Sequence, residues 1–188
     1  LGLIINRKRK FAYIHIPKTG GTSLSSILLK VDGSEILAIH DSIRLLNDVD
    51  DYFIFTIVRN PFTRLASAYY DRIKDNSIKL NEFIDKINYK DSWYFPQLYF
   101  INSGKRDNVK ISYIGKYESY TESVKVILNT LDLKYPIPHL NRNPIYDRHP
   151  NIKQHEFYKY LYEDEWCKDW VRERYIDDFK QFNYELDI

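Results

Sequence analysis

Pro17, Lys18, Thr19, Gly20, Gly21, Thr22 and Ser23 put one lysine, two adjacent glycines and three hydroxyl side chains within seven positions. Glycines let a backbone approach an anion closely, and successive amide N–H groups can point into one concavity. Lys18 supplies a full positive charge, and Thr19, Thr22 and Ser23 add hydroxyl donors. The segment therefore has the parts needed to wrap a tetrahedral anion. A second set follows: Arg59 ends the apolar run Tyr52–Val58, and Ser67 comes eight residues later. A guanidinium forks onto a phosphate, and helical spacing puts Ser67 away from Leu65 and Tyr69, so one anion can meet both side chains. A general base, where the chemistry needs one, is most often a histidine or a carboxylate, and the chain offers five histidines, among them His40 in Ala38–Ser42, and acids such as Glu118. His15, just ahead of the glycines, reads as a structural partner of the loop backbone, whereas His149 and His155 read as surface residues.

These groups need elements to hold them. Phe11–Ile16 is a nearly continuous apolar run, and beyond the glycines Leu24, Ile27 and Leu28 recur at helical spacing, which predicts strand, loop, helix. A helix N-terminus at that place adds partial positive charge to the loop. Tyr52–Val58 predicts a buried strand, Asn60 an N-cap and Pro61 a first helical residue, with Phe62, Leu65, Ala66, Tyr69 and Ile73 on one apolar face. Leu80–Ile87 predicts a short helix and Asn88–Pro96 an aromatic loop. Val109–Tyr117 predicts another strand, followed by a helix with Val124, Ile127, Leu128 and Leu131 on one face. Tyr135–Pro150 holds four of the seven prolines and reads as an ordered surface loop, with helices near 153–162 and 164–180 after it. The alternation predicts an α/β fold with a mostly parallel central sheet flanked by helices and ligands at the strands' carboxyl ends. With 188 residues, 44% of them hydrophobic, the chain fits a single domain over 1–188.

Composition narrows the partners. The net charge is +2, so no overall field calls for nucleic acid or a membrane. The single cysteine, Cys167, excludes an intramolecular disulfide and a cysteine zinc cluster. The start offers a short apolar patch before the basic run Arg7–Lys10, far from the roughly 20 apolar residues a spanning helix needs. The expectation is a cytoplasmic protein with no transmembrane segment. The chain holds no methionine, so residue 1 is read as other than the native start.

The nucleotide-triphosphatase loop has its lysine after the last glycine. Here Lys18 precedes both glycines, and Val58 is followed by Arg59 rather than by an acid able to hold magnesium. Ile14–Leu24 (IHIPKTGGTSL) instead resembles the 5'-phosphosulfate loop of the sulfotransferase family that includes the carbohydrate sulfotransferases. Ile57–Tyr70 (IVRNPFTRLASAYY) resembles that family's 3'-phosphate segment, with Arg59 and Ser67 as its ligands. Gly115–Glu118, Pro138–Asn141 and Val171–Tyr184 also resemble its small bacterial members.

The resemblance implies a P-loop-containing three-layer fold and 3'-phosphoadenosine-5'-phosphosulfate as donor, with no metal. It implies that Lys18 neutralises the bridging oxygen, that Thr19, Gly20, Gly21, Thr22 and Ser23 hold the phosphosulfate, and that His40 serves as base, with Glu118 or another histidine as the alternative. The acceptor it implies is a hydroxyl of a carbohydrate or glycoconjugate. His139 and Arg142, in and after Pro138–Asn141, are further residues near the expected donor site. Ser92 stands where many relatives carry a histidine, so a candidate acceptor-site histidine is missing and the acceptor identity of the glycosaminoglycan enzymes does not carry over on this stretch. Trp93, Tyr94 and Phe95 read equally as a sugar-stacking surface or as packing, and Arg64 reads as a solvated helix charge. Two other readings stay open: a non-catalytic anion-binding module of the same fold, and a P-loop kinase acting on a small alcohol.

Overall fold

The structure is a computed structural model and describes residues 2–73, 78–102, 109–137, 158 and 161–188. His139, Arg142, His149, His155, the stretch 138–141 and most of the helix expected near 153–162 lie outside the described residues. In chain order the elements are β1 (Gly2–Asn6), β2 (Phe11–Ile14), α1 (Gly21–Leu28), β3 (Ser34–Ile39), β4 (Phe53–Val58), α2 (Pro61–Arg72), α3 (Leu80–Asp85), α4 (Gln97–Ile101), β5 (Tyr113–Lys116), α5 (Tyr120–Thr130), α6 (Glu165–Arg174) and α7 (Ile176–Phe182). Short 3-10 turns occupy Ile43–Leu45, Ser92–Tyr94 and Tyr117–Ser119. The described residues fall into two compact units, one drawn from Leu1–Arg59 and Gln97–Asn141, the other from Asn60–Pro96 and Arg142–Ile188.

The first unit is built on a five-stranded mixed sheet in the order β3-β1-β2-β4-β5. β2 pairs in parallel with β4, and β4 with β5, while β1 runs antiparallel to both β2 and β3. Four of the five strands therefore share one direction, as a strand-helix alternation requires. Side chains alternate across a strand, so Phe11 and Tyr13 of β2 share a face with Phe55 and Ile57 of β4. On that face they pack with Leu24, Ile27 and Leu28 of α1 and Val124, Ile127 and Leu128 of α5. Each such fully buried Leu, Ile or Phe contributes about 1.5–3 kcal/mol. On the opposite side of β4 the Thr56 hydroxyl donates to the Ile14 carbonyl at 2.7 Å, which keeps a buried polar group satisfied.

Two strands differ from the sequence reading. Residues 2–6, read as an apolar patch, form β1, whose Leu3, Ile4 and Ile5 are fully buried. The basic run after it is a hairpin turn: Lys10 has φ +54°, Lys8 pairs with Asp32 at 2.6 Å, and Lys10 pairs with Asp51. Residues 34–39, to which the sequence reading assigns no element, form the edge strand β3, which leaves Ile36, Leu37 and Ile39 exposed. A short apolar run without burial on either face carries no periodic signal.

In the second unit α2 opens as its sequence predicts: the Asn60 side chain accepts from the Phe62 N–H at 2.9 Å, and Pro61 begins the helix. Phe62, Leu65, Ala66 and Tyr69 join Leu80, Phe83 and Ile84 of α3, Cys167 and Val171 of α6, Phe179 of α7, and Tyr158 and Tyr162 ahead of α6 in one core. The expected helix over 164–180 is interrupted at Tyr175, which leaves helical geometry (φ −118°, ψ 24°) while its hydroxyl donates to the Tyr94 carbonyl. The reading of Arg64 as a solvated charge is corrected: it is 2% exposed. Its guanidinium donates to the Phe95 carbonyl at 2.9 Å and the Trp93 carbonyl at 3.1 Å, bonds that offset the cost of burying the charge. The aromatic stretch is used in packing. Tyr94 is buried in the core, and the Trp93 ring carries the Arg72 guanidinium 4.3 Å from its centroid.

Candidate active site

The loop between β2 and α1 holds an unusual backbone. Lys18 has φ +68° and Gly20, the N-cap of α1, has φ +82°. A left-handed glycine is unstrained, but a left-handed lysine costs roughly 1–2 kcal/mol relative to right-handed geometry. Strain of that size persists where surrounding structure over-determines it, and such positions cluster at functional sites. No side chain caps the start of α1, and its first turn holds no acidic residue. The first turn thus sets no carboxylate of its own against the positive end of the helix, which suits an anion.

Gly21 has no room for a side chain. A Cβ there would lie 1.9 Å from His15 Cδ2, 2.2 Å from His15 Nε2 and 2.8 Å from the Tyr13 hydroxyl oxygen. Gly21→Ala is expected to destabilise the fold by about 1–3 kcal/mol, the usual cost of overpacking. Thermal unfolding checks this, because a chain of 188 residues loses roughly 2–4 °C of Tm per kcal/mol. A melting temperature unchanged by the substitution would contradict the tight packing of His15 on this glycine.

The second motif reaches the same loop. Arg59, 3% exposed, leaves the end of β4, and its Nη1 donates to the Lys18 carbonyl at 3.1 Å. The guanidinium lies 4.1 Å from the centroid of the Tyr117 ring, a cation–π contact. Its backbone is held by Gln97 of α4: the Arg59 N–H donates to Oε1 and Nε2 donates to the Arg59 carbonyl, both at 2.8 Å. This pairing copies a strand's hydrogen bonds where β4 has run out. Tyr120 completes the wall, with its hydroxyl donating to the Gly20 carbonyl at 3.1 Å. Burial pushes the Tyr120 hydroxyl up to about 12, so it remains a donor at neutral pH. Ser123 fixes the end of β5 by accepting from the Lys116 N–H and donating to the Lys116 carbonyl, both at 3.0 Å.

The other expected residues take these places. Thr19 is fully buried and its hydroxyl donates to the Ile16 carbonyl at 2.9 Å, so its side chain shapes the loop. Ser23 is 4% exposed on α1, and Thr22 beside it is half-buried. His40 follows directly on β3 with φ +47°, a second left-handed non-glycine residue at a position of chemical interest. Its ring meets that of His15 edge-on, 5.4 Å between centroids at 69°. Glu118 is exposed on the turn after β5. Ser67 is half-buried on α2, in the second unit.

Lys18, Gly20, Gly21, Arg59 and, through His15, His40 therefore come together in the first unit. Gln97, Tyr117 and Tyr120 were not singled out from the sequence. Tyr117 and Tyr120 stand one helical turn apart after a strand, the only local signal for them. Gln97 pairs with a backbone 38 residues away and leaves none. Among the described residues no group of three or more His, Cys, Asp or Glu side chains could hold a metal ion, and no helix is long and apolar enough to cross a membrane.

A family model described as "Sulfotransferase family" matches residues 2–185. Comparisons with curated proteins and with solved structures found no match.

Proposed function

Because the chain belongs to the sulfotransferase family, we propose that it transfers a sulfuryl group from 3'-phosphoadenosine-5'-phosphosulfate to a hydroxyl of a carbohydrate or glycoconjugate. The observation that carries this reading is the bond from the Arg59 guanidinium to the Lys18 carbonyl. It ties the guanidinium of the second motif to the backbone of the glycine loop at the start of α1, which supports reading the two motifs as one donor site. A donor with phosphate at both ends of a ribose needs two such motifs, and it needs no bridging metal.

In this reading the loop amides of Gly20 and Gly21 with Thr22 and Ser23 grip the 5'-phosphosulfate, and Thr19 keeps the loop in shape. Arg59 takes the 3'-phosphate, and Ser67 is assigned to the same phosphate on the sequence resemblance alone. The acceptor oxygen attacks sulfur in line, and the bond from sulfur to the 5'-phosphate oxygen breaks. The acceptor proton passes to the imidazole of His40, with Glu118 as the alternative base. Lys18 stabilises the negative charge that grows on the departing phosphate. A single P-loop-containing, three-layer domain in a cytoplasmic setting belongs to the same reading, the latter supported by the single buried Cys167.

Calorimetric titration with 3'-phosphoadenosine-5'-phosphate, the desulfated product, tests the donor site. Binding that needs no magnesium and outcompetes magnesium ATP is the expected result. Absence of binding, or a preference for magnesium ATP, overturns the reading in favour of a kinase. Sulfate incorporation into polysaccharides and glycosides, compared with tyrosine peptides, tests the acceptor class. Nucleotide binding without transfer to any hydroxyl would leave a non-catalytic module.

A further inference from the structure

We infer that His15 is a positioning residue for the transfer reaction, setting the imidazole of His40 against the loop that grips the sulfuryl group. The inference rests on the reading of His40 as the base.

His15 stands one residue beyond β2, and the two-residue repeat of a strand puts it on the same face as Phe11 and Tyr13. A column of rings runs along this face. Phe53 stacks with Phe55 at 5.0 Å, Phe55 with Tyr13 at 5.4 Å, and Tyr13 with His15 at 6.0 Å, the last two within 23° of parallel. Phe55 and Tyr13 are fully buried and His15 is 6% exposed, so the column is anchored in the core and cannot drift. At its outer end the His15 ring does two things. One edge fills the space above Gly21, where a Cβ would come within 2.2 Å of both Cδ2 and Nε2. The ring also meets His40, 5.4 Å away and edge-on. One rigid side chain thus sets the first residue of α1 and the proposed base in register.

His40 needs such support. Its backbone is left-handed at φ +47°, directly after an edge strand with exposed residues, so local sequence alone does not hold it there. A general base displaced by about 1 Å can lose on the order of 10²-fold in rate. His15 does not touch the reacting atoms in this account. It acts through His40.

A double-mutant cycle tests this, using the whole chain and single-turnover transfer from the donor, with affinity for 3'-phosphoadenosine-5'-phosphate measured by calorimetry in parallel. His15→Ala is expected to slow transfer about 10- to 100-fold while nucleotide affinity stays within about threefold. Introduced into His40→Ala, it is expected to slow transfer no further. Effects that multiply in the double variant, or a loss of nucleotide affinity as large as the loss of rate, overturn the inference and leave His15 a packing residue of the loop. Should His15→Ala fail to fold, His15→Asn, smaller than histidine and without its ring, enters the cycle with the same expectation. A wild-type chain that neither binds the nucleotide nor transfers sulfate marks failure of the proposed function. Full turnover in His40→Ala marks failure of the base assignment. Both outcomes differ from an additive cycle in an active enzyme.

Discussion

Lys18→Ala is expected to lower the rate of sulfuryl transfer by about 10³-fold, at the upper end of what removal of one preorganised charge-stabilising group costs. Affinity for 3'-phosphoadenosine-5'-phosphate should fall far less, by no more than about tenfold, because the charge that Lys18 meets grows only as the bond to the leaving oxygen breaks. The left-handed backbone at φ +68° adds a second readout. Lys18→Gly should be as inactive as Lys18→Ala but more stable than it by about 1 kcal/mol, because glycine adopts this geometry without strain. Against the wild-type lysine, which carries the same backbone strain, Lys18→Gly would then lose rate while gaining stability, as expected where a strained conformation serves chemistry. Single-turnover rates, calorimetry and thermal melts of the three proteins decide it. A Lys18→Ala enzyme within tenfold of the wild-type rate would remove Lys18 from the chemical step.

Arg59→Ala is expected to weaken binding of the same nucleotide by at least about 10²-fold, the range seen when one partner of a buried, hydrogen-bonded charge contact is truncated. Arg59→Lys should rescue little of it. A lysine lacks the planar fork that donates to the Lys18 carbonyl while its central carbon sits over Tyr117, 4.1 Å from the ring centroid. Titration of both variants with the nucleotide makes the comparison. Affinity in Arg59→Lys within about threefold of wild type would reduce Arg59 to a simple point charge and undercut the geometric reading of the site.

The contacts around Arg59 and His15 differ in how they are made, and this governs what each substitution reports. Arg59 is fixed by its backbone through Gln97, so changing its side chain leaves the end of β4 in place. His15 is fixed by its ring, between Tyr13 and Gly21. Changing that ring disturbs the loop and His40 together, which is why His15 needs a cycle and Arg59 does not.

Much of this protein is legible in its sequence because the signals are local. Phe11–Ile14 and Phe53–Val58 are short apolar runs followed by helix starts, and Asn60 with Pro61 marks the opening of α2 to the residue. The glycine pair, Lys18 and Arg59 mark the proposed anion site by residue type and by their place at strand ends, which needs no tertiary information. What the sequence leaves out is set by contacts between distant residues. β1 is a strand because it is covered on both sides by β2 and β3, and β3 is one because β1 offers it an edge. Neither property is periodic in its own residues. Arg64 can be buried because two carbonyls some 30 residues away accept hydrogen bonds from its guanidinium, so a residue that reads as surface becomes part of a core. The contacts of Gln97 and Tyr117 with Arg59 and the edge-on contact of His15 with His40 likewise exist only once strands bring their neighbours together. The sequence by itself determined the chemistry on offer, because charge, hydroxyl and backbone freedom belong to single residues. Only the tertiary structure decided which of those residues meet, because a hydrogen bond or a ring contact depends on ångström distances between segments that the chain order does not specify.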